Sequence, residues 1–168
     1  MLTQSNKRTQ LTLFLDPKDS IQIEEIRSKF NPLQYEIIKS HITLCREDEL
    51  IDLKTVENNI DQIYSSPLTI HFGNPIRFHD GKGVLIPAIS PYESFQELRK
   101  WILKGLIENP RNSEPHITLM HPRNSICTDE TFEEIKKITF PSQLRFTKIS
   151  LIEQELGKKW EIIKEFDF

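Results

Sequence analysis

The sequence predicts an α+β fold in which two similar halves, related by a pseudo-twofold axis, pack their helices outside the sheet. Three observations carry this. The tetrapeptide His-Ile-Thr-Leu occurs twice, at 41–44 and 116–119, 75 residues apart in a chain of 168. The same order of elements surrounds each copy: strand, capped helix, HITL strand, helix, strand. Apolar spacing changes between a period of two and a helical period at matching places in both halves.

In the first half, Leu11 to Leu15 form an apolar strand, and Asp16-Pro17 offers an N-cap and a first-turn proline. The helix that follows carries Ile23, Ile26 and Phe30 on one stripe. After the HITL strand at 41 comes an acidic segment, then a helix marked by Val56, Ile60 and Ile63. Residues 67–72, PLTIHF, close the half as a strand. Leu68, Ile70 and Phe72 lie on one of its faces, Thr69 and His71 on the other.

The second half repeats the order. Asp80-Gly81 marks a tight turn before the strand GVLIPAI at 83–89. Ser90 is placed to cap a helix, with Pro91 at its first position and Glu93 completing a capping box. Phe95, Leu98, Ile102 and Leu106 give that helix its apolar stripe. The second HITL strand is followed by a helix carrying Phe132, Ile135 and Ile138, then by the strand SQLRFT at 142–147. ISLIEQE and KKWEIIKEF read as a terminal hairpin around Gly157.

An apolar fraction of 37% and a charged fraction of 28% describe an ordinary soluble globular chain. At this length one hydrophobic core is expected, with residues 9–168 as a single domain behind a flexible segment 1–8. No apolar run approaches the roughly 20 residues that span a bilayer, and MLTQSNKRTQ lacks a secretory stretch. A cytoplasmic protein without membrane contact is expected, with Cys45 and Cys127 as free thiols. The formal charge of −3 argues against binding long duplex nucleic acid and leaves a terminus or short fragment. A monomer is expected.

Alternation along a strand puts His41 and Thr43 on one face, about 7 Å apart, and the same holds for His116 and Thr118. A pseudo-twofold would let the two imidazoles face each other across a cleft. That arrangement suits in-line displacement at phosphorus, which needs a base beside the entering oxygen and an acid beside the leaving one. Histidine, with an ordinary pKa of about 6.5, serves either role near neutral pH. The threonine hydroxyls can donate to the non-bridging oxygens. No metal or other cofactor is demanded, since no Cys/His cluster has zinc spacing and five glycines include no phosphate loop.

Around this tetrad, Arg46 and His121 occupy equivalent positions, with Arg123 close behind, and these are candidates to meet phosphate or ribose. Phe14 lies off the Leu11, Leu13, Leu15 face, where it could stack on a base or pack against the sheet. His71 and His79 are expected at the surface. Cys45 shares the His41–Thr43 face by alternation, and because Met120 fills the matching place, a thiol in the cleft wall is favoured over a nucleophile.

On these residues the chain resembles the two-histidine (2H) phosphoesterases, which include 2′-5′ RNA ligase-like proteins and cyclic nucleotide phosphodiesterases. Their signature is a pair of His-x-Thr/Ser-x motifs, which stand here as SHITLCR (40–46) and PHITLMHPR (115–123), with Pro115 before the second copy. The likeness covers most of residues 9–168. It implies two pseudo-symmetric lobes, each a mostly antiparallel sheet, with the motifs on central strands lining a cleft. It also implies that His41 and His116 are the acid/base pair and that Thr43 and Thr118 bind phosphate. The implied activity is that of a metal-independent phosphodiesterase acting on 2′,3′-cyclic phosphates or 2′-5′ linkages, with a cyclic nucleotide or an RNA terminus as partner. RNA 2′-5′ ligation is the reverse of the same chemistry, and a non-catalytic nucleotide or RNA-end binding module is the alternative. Intact histidines in both motifs favour catalysis, because binding alone would tolerate the loss of either.

Overall fold

The computed structural model describes residues 6–64 and 66–168, so the first five residues of the segment expected to be flexible lie outside the described residues. The first half comprises β1 (Lys7–Phe14), α1 (Ile21–Phe30), α2 (Pro32–Ile37), β2 (His41–Cys45), a short 3-10 turn (Glu47–Glu49), α3 (Leu53–Asp61) and β3 (Leu68–His71). The second comprises β4 (Ile76–Arg77), β5 (Val84–Pro87), α4 (Glu93–Ile102), β6 (His116–Met120), α5 (Asp129–Lys136) and β7 (Gln143–Phe146), and the chain closes with β8 (Lys148–Glu155) and β9 (Trp160–Asp167). No helix among the described residues is long and apolar enough to cross a membrane.

Several boundaries differ from those read in the sequence, each for a local reason. Lys7 and Arg8 are strand residues, because β1 pairs with β8 through Lys7–Glu155, Arg8–Gln154 and Thr9–Glu153. Polar pairs of this kind leave no hydrophobic pattern. Helix α1 begins after Ser20 rather than at Asp16-Pro17, since the Asp16 carboxylate and carbonyl accept from the N–H groups of Lys18 and Asp19 and close a turn first. Helix α4 begins at Glu93 behind Tyr92, not behind Ser90. The N–H groups of Ala88 and Ile89 are bonded to the carbonyls of Pro115 and His71, which keeps the chain extended past β5.

The strands form a four-stranded sheet in the order β2-β1-β8-β9, a three-stranded sheet in the order β4-β5-β6, and a pair β3-β7. Every pairing is antiparallel. A bridge from Phe72 to Ala88 joins the pair to the three-stranded sheet. The motif strands β2 and β6 are each outermost in their own sheet and lie beside each other, so they are the central strands between the two halves, as the resemblance implied. An apolar face reveals which side of a strand is buried, but not how many neighbours it has.

The same irregularity occurs in both halves. Leu11 is opposite Cys45 and Thr12 opposite Thr43, so Leu44 is an extra residue; Val84 is opposite Met120 and Leu85 opposite Thr118, so Leu119 is its counterpart. His41 and Thr43 are half-buried while Ile42, Leu44 and Cys45 are buried, and residues 116–120 repeat this pattern. The bulge shifts the phase of the strand, so Cys45 belongs to the core and not to the cleft wall. Its thiol lies 3.8 Å from Nη1 of Arg99, and burial pushes its pKa up to about 12.

Side chains from each half hold the segment that follows the motif strand of the other. The guanidinium of Arg99 on α4, 2% exposed, donates to the Leu44 carbonyl and to both carboxylate oxygens of Glu49, at 3.1 and 2.6 Å. In the opposite direction, Oδ1 of buried Asn31 accepts from the His121 N–H at 2.7 Å, and its Nδ2 donates to Oδ1 of Asn124 at 2.8 Å. Burial would raise the Glu49 carboxyl, but the Arg99 and Arg46 hydrogen bonds and the nearby Arg111 hold it below the usual range.

Removing one member of a buried ion pair leaves the other charged and unpartnered, which costs about 3–5 kcal/mol. Glu49→Ala should destabilise the protein by that amount in urea unfolding at pH 7. Because the folded-state pKa of Glu49 is depressed, its contribution is present above the unfolded value and disappears as pH falls through the folded one. The gap between wild type and variant should therefore narrow below about pH 4, and a constant gap would contradict the ion-pair account.

Candidate active site

Each imidazole is oriented by a backbone carbonyl two residues earlier. Nδ1 of His41 lies 2.8 Å from the Lys39 carbonyl oxygen, and Nδ1 of His116 lies 3.0 Å from that of Glu114. A carbonyl only accepts, so Nδ1 carries the proton in both rings and the Nε2 lone pair is left free. Each ring also meets a phenylalanine edge-on at 6.1 Å between centroids, Phe14 for His41 and Phe78 for His116. Phe14 stands opposite His41 on β1, whereas Phe78 comes from the loop before β5. A Cβ on Gly83 would come within 2.6 Å of Phe78, so the absence of a side chain there lets that ring approach.

The approach to β2 is pinned from α1. Oε1 of Glu24 accepts from the Ser40 N–H at 2.6 Å, and buried Arg27 bridges Glu24 to the Ile38 carbonyl, the latter at 2.8 Å. In the second half Pro115 replaces Ser40 and has no N–H to give. Correspondingly, the helix offers a donor there: Nε2 of Gln96 bonds the Ser113 carbonyl.

Desolvation lowers the pKa of His41 to about 4. The bond to Lys39 opposes this, the charges of Arg27 and His116 add to it, and Glu24 opposes it weakly. The two motif imidazoles thus lie within each other's electrostatic reach. Gln10, one strand over, donates through Nε2 to the hydroxyls of Thr43 at 3.1 Å and buried Thr12 at 3.0 Å. With its oxygen accepting that bond, Thr43 retains its own O–H to give to a ligand.

The four tetrad residues line neighbouring strand edges, and the other sequence candidates divide. Phe14 touches His41 and acts as a wall for the ring. His121 follows β6 and accepts the Arg123 N–H on Nδ1 at 3.1 Å, so its proton sits on Nε2. Burial, with the charges of Arg123 and Arg8, lowers its pKa. Arg46 is exposed beside the 3-10 turn, its N–H bonded to Glu49 and its charge acting on Asp48. Sequence reading did not find Gln10, Arg8 or Phe78. Alternation along β1 places Gln10 and Arg8 on the Thr12–Phe14 face once the strand is known to begin at Lys7, but nothing local to Phe78 announces its partner. Among the described residues no three His, Cys, Asp or Glu side chains are grouped as metal ligands would be.

The family model described as the 2′-5′ RNA ligase superfamily matches residues 15–158. Among solved structures, E. coli LigT complexed with phosphate superposes with a TM-score of 0.65 at 16% identity, over 96% of this chain and 97% of that one. E. coli LigT complexed with 3′-AMP gives 0.64 at 15% identity, over 96% and 98%. A structure described as a phosphoesterase gives 0.66 at 16%, over 96% and 98%. These likenesses show the shared fold. No curated protein matches the chain.

The geometry of His41 predicts its titration. NMR of the ring nitrogens should give a midpoint of about 4, with the Nδ1–H tautomer across neutral pH. A midpoint near the ordinary 6.5, or an Nε2–H tautomer at pH 7, would contradict the environment described.

Proposed function

The chain belongs to the 2′-5′ RNA ligase superfamily, and from that membership we propose that it is a metal-independent phosphodiesterase opening 2′,3′-cyclic phosphates, or cleaving 2′-5′ linkages, at nucleotide or RNA ends. The observation that carries this reading is the matched pair of imidazoles, each with Nδ1–H tied to a carbonyl, Nε2 free, and a threonine two residues on.

In hydrolysis, His41, neutral at physiological pH, takes a proton from the attacking water through Nε2 while the new P–O bond forms. His116 enters this step as the imidazolium, with a second proton on Nε2 besides the Nδ1–H held by Glu114, and gives that proton to the ribose oxygen that leaves as the ring P–O bond breaks. The product is a phosphate monoester, and the proton taken up by His41 returns the pair to its starting charge. The hydroxyls of Thr43 and Thr118 donate to the non-bridging oxygens, where charge builds in the transition state. The reverse sequence of proton transfers would join ends by a 2′-5′ linkage. That E. coli LigT is seen with phosphate and with 3′-AMP supports a nucleotide phosphate in a fold of this kind.

A module that only bound an anion would not need either ring fixed in one tautomer; both are, by the Lys39 and Glu114 carbonyls, which favours turnover over simple capture.

Activity on 2′,3′-cyclic nucleotides should survive a chelator, and loss of turnover restored by added metal would overturn the mechanism. His41→Ala and His116→Ala should each cost at least about a hundredfold in kcat. The double variant should cost less than the product of the singles, because the two act in one displacement. Near-full activity in either folded single variant would refute the assignment. Gln10→Leu should be milder, about fivefold in kcat/KM for the loss of one hydrogen bond that orients Thr43, and an unchanged value would remove Gln10 from the site.

A further inference from the structure

The cleft face of β1 carries a row of side chains that continues beyond the tetrad. Phe14 stands against His41, Gln10 bonds Thr43, and alternation puts Arg8 next in the row, about 7 Å past Gln10. Arg8 is held in place by uncharged partners. Its Nε and Nη2 donate to Oε1 of Gln154 at 2.8 and 2.5 Å, and its guanidinium lies 4.9 Å from the centre of the Trp160 ring. Gln154 is itself buried and donates to the Lys158 carbonyl. The guanidinium is thus pre-oriented, and among the described residues no carboxylate is bonded to it.

The facing half contributes from the segment after β6. With Nδ1 of His121 engaged by the Arg123 N–H, Nε2 is a donor even in the neutral ring. Arg123 is exposed beside it, close enough to Arg8 that their like charges act on each other and on His121. Glu47 on the Arg8 side and Asp80 on the His121 side are the acidic groups within electrostatic reach. In a chain of net charge −3 this is a local concentration of positive charge. Two cations and a neutral N–H donor, about one nucleotide's length along the strand from the tetrad, match the two non-bridging oxygens of another phosphodiester.

We infer that Arg8, Arg123 and His121 form a second phosphate site, which takes the phosphodiester on the 5′ side of the terminal nucleoside. The preferred ligand is then the end of a single-stranded oligonucleotide, and a free cyclic mononucleotide leaves this site empty. The inference rests on the phosphodiesterase reading for the identity of the first site, but its test does not need turnover.

The test compares dissociation constants, by calorimetry, for a nucleoside 3′-monophosphate, the same nucleoside with both 5′- and 3′-phosphates, and a dinucleotide with a 3′-phosphate. The dinucleotide should bind at least tenfold more tightly than the monophosphate, as one charge-assisted contact allows. Arg8→Gln should reduce that preference below about threefold, weaken the monophosphate less than threefold, and lower the slope of log Kd against log salt for the dinucleotide by about 0.7. Arg8→Lys, which keeps the charge, should fall between. Equal wild-type affinities, or a preference that persists in folded Arg8→Gln, would overturn the site. The bisphosphate, whose 5′-phosphate reaches the same place, should also bind more tightly than the monophosphate. A bisphosphate that binds no better than the monophosphate would overturn the site, and one that binds at least about tenfold more tightly than the dinucleotide would overturn the oligonucleotide assignment. Failure of the catalytic reading would appear separately, as absent turnover of cyclic substrates with this affinity pattern intact.

Discussion

Leu44 and Leu119 each occupy a strand position with no opposite number on the neighbouring strand, and the phase of the side chains changes there. Before the bulge, the strand sends histidine and threonine to the cleft and isoleucine to the core. After it, a residue that simple alternation would have put in the cleft joins the core instead, Cys45 in one half and Met120 in the other. The site is thereby limited to two polar groups per strand, backed by packed hydrophobic residues that fix their positions. A regular strand would have placed a thiol and a thioether beside the two histidine–threonine pairs.

Because these strands are outermost in their sheets, they need support that hydrogen-bonded neighbours would otherwise supply. The fold provides it across the pseudo-twofold. Arg99 reaches the carbonyl of Leu44 itself, so the bulged position is tied to the helix of the other half, while Asn31 ties the peptide after β6 to the first half. A buried ion pair such as Arg99–Glu49 contributes little net stability against a hydrophobic substitute. What it supplies here is direction, since a bidentate fork and a carbonyl contact accept one placement of the two halves. The distance between the imidazoles follows from that placement.

Much of the architecture was legible because it is written in periodicity. The two HITL strands, the α3 and α5 stripes through Val56, Ile60 and Ile135, and the first strand of the terminal hairpin, β8, all bury apolar residues, and such burial leaves a pattern. What escaped was held by polar or long-range contacts. The first residues of β1 pair through Lys, Arg and Thr, and the start of α1 was displaced by a turn that Asp16 closes on itself. Helix α2 follows the Asn31-Pro32 step, and its residues are not fully buried, so no stripe marked it. The tetrad could be identified because it is repeated, whereas Gln10 and Phe78 occur once each and acquire meaning only when the strands are brought together. Cys45 was misplaced for the same reason: a bulge is a property of a pair of strands.

The position of β1 also governs when the molecule can complete itself. Its inner edge is filled by β8, with Arg8 bonded to Gln154 across a separation of 146 residues. The first half therefore has no finished sheet until β8, 146 residues farther along, has been made, even though its motif strand is made early. Contacts so distant in sequence slow folding, since the loop between them must be closed before they stabilise anything. During synthesis β1 presents an unpaired edge to its surroundings. The polar and charged residues at its start, Lys7, Arg8, Thr9 and Gln10, keep that waiting edge soluble, and two of them, Arg8 and Gln10, go on to line the finished protein's cleft and its approach.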